Sequence, residues 1–298
     1  MLACPKFKKD NHPFLVSHTL TWTPFTYSNG LMPRPEYLNE FYCADGIRLY
    51  HNDCQDAIDQ LDNNSIDLLI TSPPYNVDIG NNKYNKHKYD LYRDNKAHAD
   101  YIFWLETIFL YLYCKLKPGA RIVINIGDGK NGKIPTHSDI IQFMIKIGYI
   151  PFTTIIWNKS QIGNRRAWGS WLSPSSPSFP TPFEYILVFS KGSTKLSMPG
   201  DTDLERQEFI DWSLAMWNIK PETNMQRIGH PAVFPVEIPH RLTKMLSWKG
   251  ATVLDIFNGA GSTGVACQML GRKYIGIELS DHYCQISVDR WTKNKNAV

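Results

Sequence analysis

Two adjacent prolines end an apolar strand: Ile66-Asp-Leu-Leu-Ile70 runs directly into Thr71-Ser-Pro-Pro-Tyr75. The aliphatic run before the break is the pattern of a strand covered on both faces, as in the middle of a parallel sheet. Proline lacks an N–H and fixes φ, so neither strand nor helix continues through Pro73 and Pro74. Ser72 to Tyr75 must then form a loop at the strand's C-terminal end, the edge where open α/β sheets bind ligands.

The rest of the chain supplies the other layers. Strand patterns at 47–50, 66–70, 121–126, 151–157, 184–189, 252–257 and 274–278 alternate with helical patterns at 54–61, 99–116, 138–147, 236–247, 263–270 and 281–293. That alternation predicts a mostly parallel, twisted sheet with helices on both faces. Residues 1–45 carry no readable pattern and are expected to be irregular. Residues 160–182, rich in Ser and Pro, and the polar 192–229, with Trp212 and Trp217 placed in a helix, break the rhythm. They predict an insertion over 160–229 that keeps one core strand near 184–190 and separates a first half, 46–159, from a second, 230–298.

Composition narrows the class without naming it. Hydrophobic residues make up 43% and charged residues 20% of the 298, which suits a packed core and not a disordered tail. The longest apolar run, Tyr101 to Leu116, is interrupted by Glu106 and is too short to span a bilayer. No apolar stretch follows the basic residues near the start, so no secretory signal is expected. Six scattered cysteines with no C-x-x-C pair argue against a zinc ribbon or a disulfide framework and fit a reducing cytoplasm. The balance of 32 Lys+Arg against 28 Asp+Glu, net +4, permits a nucleic-acid partner without requiring one.

A second ligand-binding signal lies near the end. Val253-Leu-Asp-Ile-Phe-Asn-Gly-Ala-Gly261 reads as a strand entering a glycine turn, followed by a helix that opens with Ser262 and Thr263. Glycines let a ligand approach the backbone, and the helix start offers free N–H groups. Glu278, nineteen residues after Gly259 and at the end of the next strand, is placed to accept hydrogen bonds from two ribose hydroxyls. A side chain at Gly261 is expected to block that ligand while the fold survives. Gly264 completes a dinucleotide-like spacing, so spacing alone leaves a nicotinamide dinucleotide open.

Taken together, these segments resemble the amino-methyltransferases of DNA. Thr71-Ser-Pro-Pro-Tyr75 is similar to their catalytic motif and Phe257-x-Gly259-x-Gly261 to their S-adenosylmethionine motif; Asn52-Asp53, Ala167-Trp-Gly-Ser-Trp-Leu-Ser-Pro174, Glu184-Tyr-Ile-Leu-Val-Phe-Ser190 and His230-Pro-Ala-Val-Phe-Pro235 also match. The catalytic motif precedes the cofactor motif, the permuted order of the β group. The resemblance implies a Rossmann-like methyltransferase fold with an inserted target-recognition region. It implies S-adenosylmethionine as cofactor, no metal, and duplex DNA as partner, with a cognate restriction endonuclease and a second copy of the chain as further candidates. It assigns Asp53 to the cofactor's adenine, Glu278 to its ribose and Phe257, Gly259 and Gly261 to its remaining contacts. Thr71, Asp255, Ser262, Thr263, His230 and Phe234 are expected around the same pocket. A nicotinamide oxidoreductase would give Ser72-Pro-Pro-Tyr75 no task, and a DNA-binding module without enzymatic activity would bind DNA and transfer nothing.

The residue types suit the chemistry. An exocyclic amine of a base is a poor nucleophile because its lone pair is conjugated into the ring. Hydrogen bonds from the NH₂ group to the Ser72 hydroxyl and the Pro73 carbonyl would draw the nitrogen toward sp³, and the rigid Pro73-Pro74 backbone limits reorganisation. Tyr75 offers a face for a flipped base. Serine at this position is associated in the family mainly with cytosine N4 and aspartate with adenine N6, so cytosine N4 is favoured. Methylation of carbon-5 needs a thiolate after proline, and the sequence has no Pro-Cys dipeptide. For DNA, Lys83, Lys86, Lys88 and Arg93, interleaved with Tyr84, Tyr89 and Tyr92, form a basic-aromatic loop suited to phosphates, and Arg165, Arg166 and Trp168 are candidates for base recognition.

Overall fold

The computed structural model describes residues 38–77, 89–93, 95–130, 132–159, 173–177, 179–223 and 228–295. Within them, nine strands form one sheet: β1 (Glu40–Ala44), β2 (Ile47–His51), β3 (Ile66–Thr71), β4 (Leu116–Ile126), β5 (Tyr149–Asn158), β6 (Phe183–Lys191), β7 (Met216–Asn218), β8 (Thr252–Asp255) and β9 (Lys273–Glu278). Their spatial order is β1-β2-β9-β8-β3-β4-β6-β5-β7. The five strands β2, β9, β8, β3 and β4 are mutually parallel, so their C-terminal ends share one edge. β6 runs antiparallel to β4 and β5 antiparallel to β6. The start of β6 and the end of β5 therefore come to that same edge. The expected mostly parallel sheet is what forms.

Helices cover both faces. Alternate residues of β3 divide between them: Leu69 packs with α1 (Cys54–Gln60), α2 (His98–Lys115) and α3 (Thr136–Ile147). Leu68 and Ile70 pack with α5 (Glu237–Leu246), α6 (Ser262–Met269) and α7 (Asp281–Lys295), which follow the short α4 (Arg206–Trp212). This is the period-2 alternation of a strand buried on two sides. On α2, Tyr101, Leu105, Ile108, Phe109 and Leu112 recur at helical spacing and are fully buried, which fixes the face it presents. No helix among the described residues is long and apolar enough to cross a membrane.

Three expectations are corrected. Residues 40–44, assigned to an irregular N-terminal segment, form β1, joined antiparallel to β2 through Asp45-Gly46 with φ of 51° and 78°. Asp-Gly between two strand-forming runs is a hairpin signal that was present in the sequence. Trp217 is not helical: it lies in β7, 1% exposed, with its indole N–H donating to the Trp212 carbonyl. Part of 192–229 is thus sheet and core. β8 ends at Asp255, two residues early, because the Asp255 side chain turns back to bind its own chain at Phe257 N.

Candidate active site at the C-terminal edge of the sheet

Asp255, at the end of β8, ties the two sequence motifs together. One carboxylate oxygen accepts from Thr71 Oγ1 at the end of β3 (2.8 Å) and from Phe257 N (3.1 Å). The other accepts from Thr263 Oγ1 at the start of α6 (2.8 Å). All three hydrogen-bonding side chains are buried. Burial pushes the Asp255 carboxyl up to about 6 against the opposing pull of these donors. Thr71, Asp255 and Thr263 were expected to touch a cofactor. Their side-chain oxygens bond to one another, and this sets the spacing between the proline loop and the glycine turn. Ser262 is likewise occupied, its hydroxyl donating to the Phe234 carbonyl (2.9 Å).

The glycine turn is built around Glu278. One carboxylate oxygen accepts from Gly259 N (2.7 Å), the other from Leu279 N and Ser280 N (3.0 Å each). Burial outweighs these bonds and raises its carboxyl to about 7. Asp53 follows β2, the next strand over, and caps α1 by accepting from Gln55 N (2.8 Å). Burial raises its pKa too. His230 lies against the turn: a Cβ on Gly259 would stand 3.1 Å from its Nε2. Its ring packs on Tyr283 (4.4 Å) and Tyr89 (5.9 Å), and burial lowers its pKa to about 4, so it is neutral near pH 7. A cap over the turn, not a proton carrier, is what this describes.

A side chain at Gly261 would point into α7. The glycine's φ is +73°, and a Cβ there would meet Ser287 Oγ at 2.8 Å and Trp291 Cζ2 at 2.9 Å, both on α7. The expectation that a side chain at this position would block the pocket and spare the fold is revised.

Beside the turn, the proline loop opens on a polar network. The Ser72 hydroxyl lies 3.2 Å from the Asn125 carbonyl and 3.3 Å from the Tyr75 hydroxyl. Tyr75 donates to Glu184 Oε2 (2.7 Å), and Asn125 Nδ2 donates to both Tyr75 (2.7 Å) and Glu184 (2.9 Å). Lys159 pairs with the other Glu184 oxygen. Asn125 comes from the end of β4 and Gly127 from just beyond it, Glu184 from the start of β6 and Lys159 from just beyond β5. Gly127 carries no side chain because a Cβ would stand 3.2 Å from the Tyr75 ring. None of Asn125, Lys159 or Gly127 was singled out from sequence, and Glu184 was noted only as the start of a matching strand. For Asn125 and Glu184 the signal was a lone polar residue beside an apolar run: Asn125 within Ile-Val-Ile-Asn-Ile126, and Glu184 ahead of Tyr-Ile-Leu-Val-Phe189. A cavity of about 270 Å³ opens alongside, lined by Tyr75, Asn76, Lys96, His98, Lys130 and Thr136 among others.

Lys83, Lys86, Lys88, Arg165, Arg166 and Trp168 lie outside the described residues; Arg93 is described and exposed. The described end of the basic-aromatic loop packs inward. Asp90 accepts from Ser280 Oγ (2.5 Å), and Tyr92 stacks on Trp104 (5.6 Å), which in turn touches Phe257 (5.6 Å). Tyr89 and Tyr92, expected among DNA-facing groups, have ring contacts with His230 and Trp104.

Comparison with known proteins agrees with this geometry. The DNA methylase family grouping N6 and N4 methyltransferases matches residues 66–289. The chain is 36% identical over 183 residues to type II methyltransferase M.MjaVI of Methanocaldococcus jannaschii, covering 61% of this chain and 89% of that protein. It is 31% identical over 258 residues to M.MjaI of the same organism, covering 74% and 84%. Among solved structures, a Thermus thermophilus protein named as a DNA modification methylase, in complex with S-adenosyl-L-methionine, superposes with a TM-score of 0.65 at 26% identity, covering 83% of this chain and 93% of that one. With the proline loop, the glycine turn and the acid of β9 on one sheet edge, the chain belongs to the N6/N4 DNA methylase family.

Proposed function

We propose that this chain transfers a methyl group from S-adenosylmethionine to the exocyclic N4 amine of cytosine in duplex DNA, acting on a flipped base. The observation that carries the reading is the Thr71–Asp255–Thr263 brace. It joins the loop whose residues suit an amine to the turn whose residues suit a nucleoside, so donor and acceptor meet at one edge. Serine at position 72 favours cytosine over adenine, through the family association noted above. The cavity beside Tyr75 and Asn76 is the proposed seat of the flipped base, with Arg93 and the cations of 83–88 and 165–166 on DNA and 160–229 reading sequence. A cognate endonuclease and a cytoplasmic setting are part of this reading.

The donor set fits the cofactor. S-adenosylmethionine supplies an activated methyl group when bound. Glu278 would hold the ribose, Asp53 the adenine amine, Phe257 a face of the nucleoside, and the first turn of α6 would offer N–H groups to the methionine end. Because Glu278 is half-protonated at about pH 7, a ligand whose hydroxyls donate to the ionised form should bind more tightly as pH rises through that value. Below it, affinity should fall by up to about tenfold per pH unit. Calorimetry with S-adenosylhomocysteine on either side of that pH reads the slope, and a flat profile would remove Glu278 from the ribose. Glu278→Ala should cost about 1.5–3 kcal/mol of binding and also lower the melting temperature, since three backbone N–H groups lose their acceptor.

Sequencing the modified bases in DNA from cells that express this chain gives both atom and site. N4-methylcytosine at a fixed sequence is the expected result; N6-methyladenine alone would overturn the choice of target.

A further inference from the structure

We propose that the Tyr75 hydroxyl and the Glu184 carboxylate carry away the proton that the target amine loses, with Ser72 as the entry point. This rests on the reading that Ser72 faces that amine. When the C–N bond forms and the C–S bond breaks, the electron pair stays on sulfur and the amine nitrogen is left with a positive charge and one proton too many. Such a nitrogen is a far stronger acid than a carboxylic acid, so any connected carboxylate is a downhill destination.

The hydrogen bonds already point outward along one line. Ser72 Oγ donates to Tyr75 Oη at 3.3 Å, and Tyr75 Oη donates to Glu184 Oε2 at 2.7 Å. A proton accepted by Ser72 Oγ displaces the serine proton to Tyr75, and the tyrosine proton to Glu184. The amine ends neutral, Ser72 and Tyr75 are regenerated, and Glu184 becomes a carboxylic acid, so charge and atoms balance. Among the described residues Ser72 has one other acceptor, the Asn125 carbonyl at 3.2 Å, but a carbonyl cannot hand a proton on. Burial keeps the Tyr75 phenol protonated, which a relay requires. Asn125 Nδ2 fixes both later members by donating to Tyr75 and to Glu184, and Lys159 fixes the far oxygen of Glu184. Glu184 is 8% exposed, which suits a proton acceptor sheltered from competing water. A purely structural role would not need the donors aligned from Ser72 outward.

Two variants separate relay from scaffold. Tyr75→Phe keeps the ring and removes the hydroxyl; Glu184→Gln keeps the shape and an acceptor oxygen but cannot take the proton. Each should lower single-turnover methyl transfer by about 10²-fold, the scale of a positioned proton acceptor. Fluorescence titrations should find the affinities for duplex DNA and for S-adenosylhomocysteine unchanged. The unsubstituted protein should also transfer methyl more slowly in D₂O, and that isotope effect should vanish in Tyr75→Phe. Parental rates in Tyr75→Phe and Glu184→Gln beside a slow Ser72→Ala would overturn the relay and leave Ser72 in place. A parental rate in Ser72→Ala would instead sink the reading on which the relay rests. If Glu184→Gln does not fold, Tyr75→Phe and the D₂O measurement decide alone, and the absence of any isotope effect in the unsubstituted protein counts against the proposal.

Discussion

Replacing Ser72 by alanine should lower the single-turnover methyl-transfer rate by about 10²–10³, the usual loss when one preorganised hydrogen-bonding group is removed from a transition state. The position follows from the fold: β3 is stopped by Pro73-Pro74 at the edge where β8 ends, and Thr71 one residue earlier is pinned to Asp255. Ser72 therefore cannot drift with respect to the glycine turn. Among the described residues its hydroxyl hydrogen-bonds only with the Asn125 carbonyl and the Tyr75 hydroxyl, so its loss should barely change stability. Duplex DNA and cofactor should bind as before, because neither ground state relies on that hydroxyl. Single-turnover transfer of a tritiated methyl group, with affinities measured in parallel, checks this. A parental rate would make the loop scaffold.

Gly261→Asp should destabilise the fold itself rather than merely empty its pocket. The backbone at Gly261 is left-handed, and a Cβ would come within 2.9 Å of both Ser287 Cβ and Trp291 Cζ2. Trp291 is fully buried and donates from its indole nitrogen to the Gly261 carbonyl (3.0 Å), so it cannot move aside without losing that bond. Overpacking, an unfavourable φ and a carboxylate forced against α7 together should cost about 3 kcal/mol or more. Urea denaturation reads the loss directly. A parental midpoint combined with abolished cofactor binding would show that the side chain points into the pocket after all. Gly261→Ala, which adds volume and strain without charge, should fall between the two.

How much of this was legible in the sequence differs from motif to motif. The two candidate site loops could be read because each is punctuated locally: prolines stop β3, and glycines with a distant acid frame the turn after β8. The sheet could be read for the same reason, since apolar runs such as Ile66–Ile70 declare their burial on both faces. What could not be read is what those side chains hold. Asp255, Thr71 and Thr263 look like pocket residues in a row of letters. Only when β3 and β8 pair as neighbours do their polar atoms find one another. Asn125, Glu184 and Lys159 reach the site through antiparallel pairing of β4, β6 and β5, which no local pattern announces. Tyr89 and Tyr92 show the converse: aromatic residues among lysines suit nucleic acid by composition, and no local pattern announces that their rings also meet His230 and Trp104.

The most direct test of the central claim is chemical. Purified protein is incubated with duplex DNA and S-adenosylmethionine carrying a labelled methyl group, the DNA is digested to nucleosides, and the labelled product is identified by mass. We expect N4-methylcytosine, strongly reduced with Ser72→Ala. Label found only in N6-methyladenine would contradict the assignment to cytosine, and DNA that takes up no label from folded, cofactor-bound protein would contradict the activity itself.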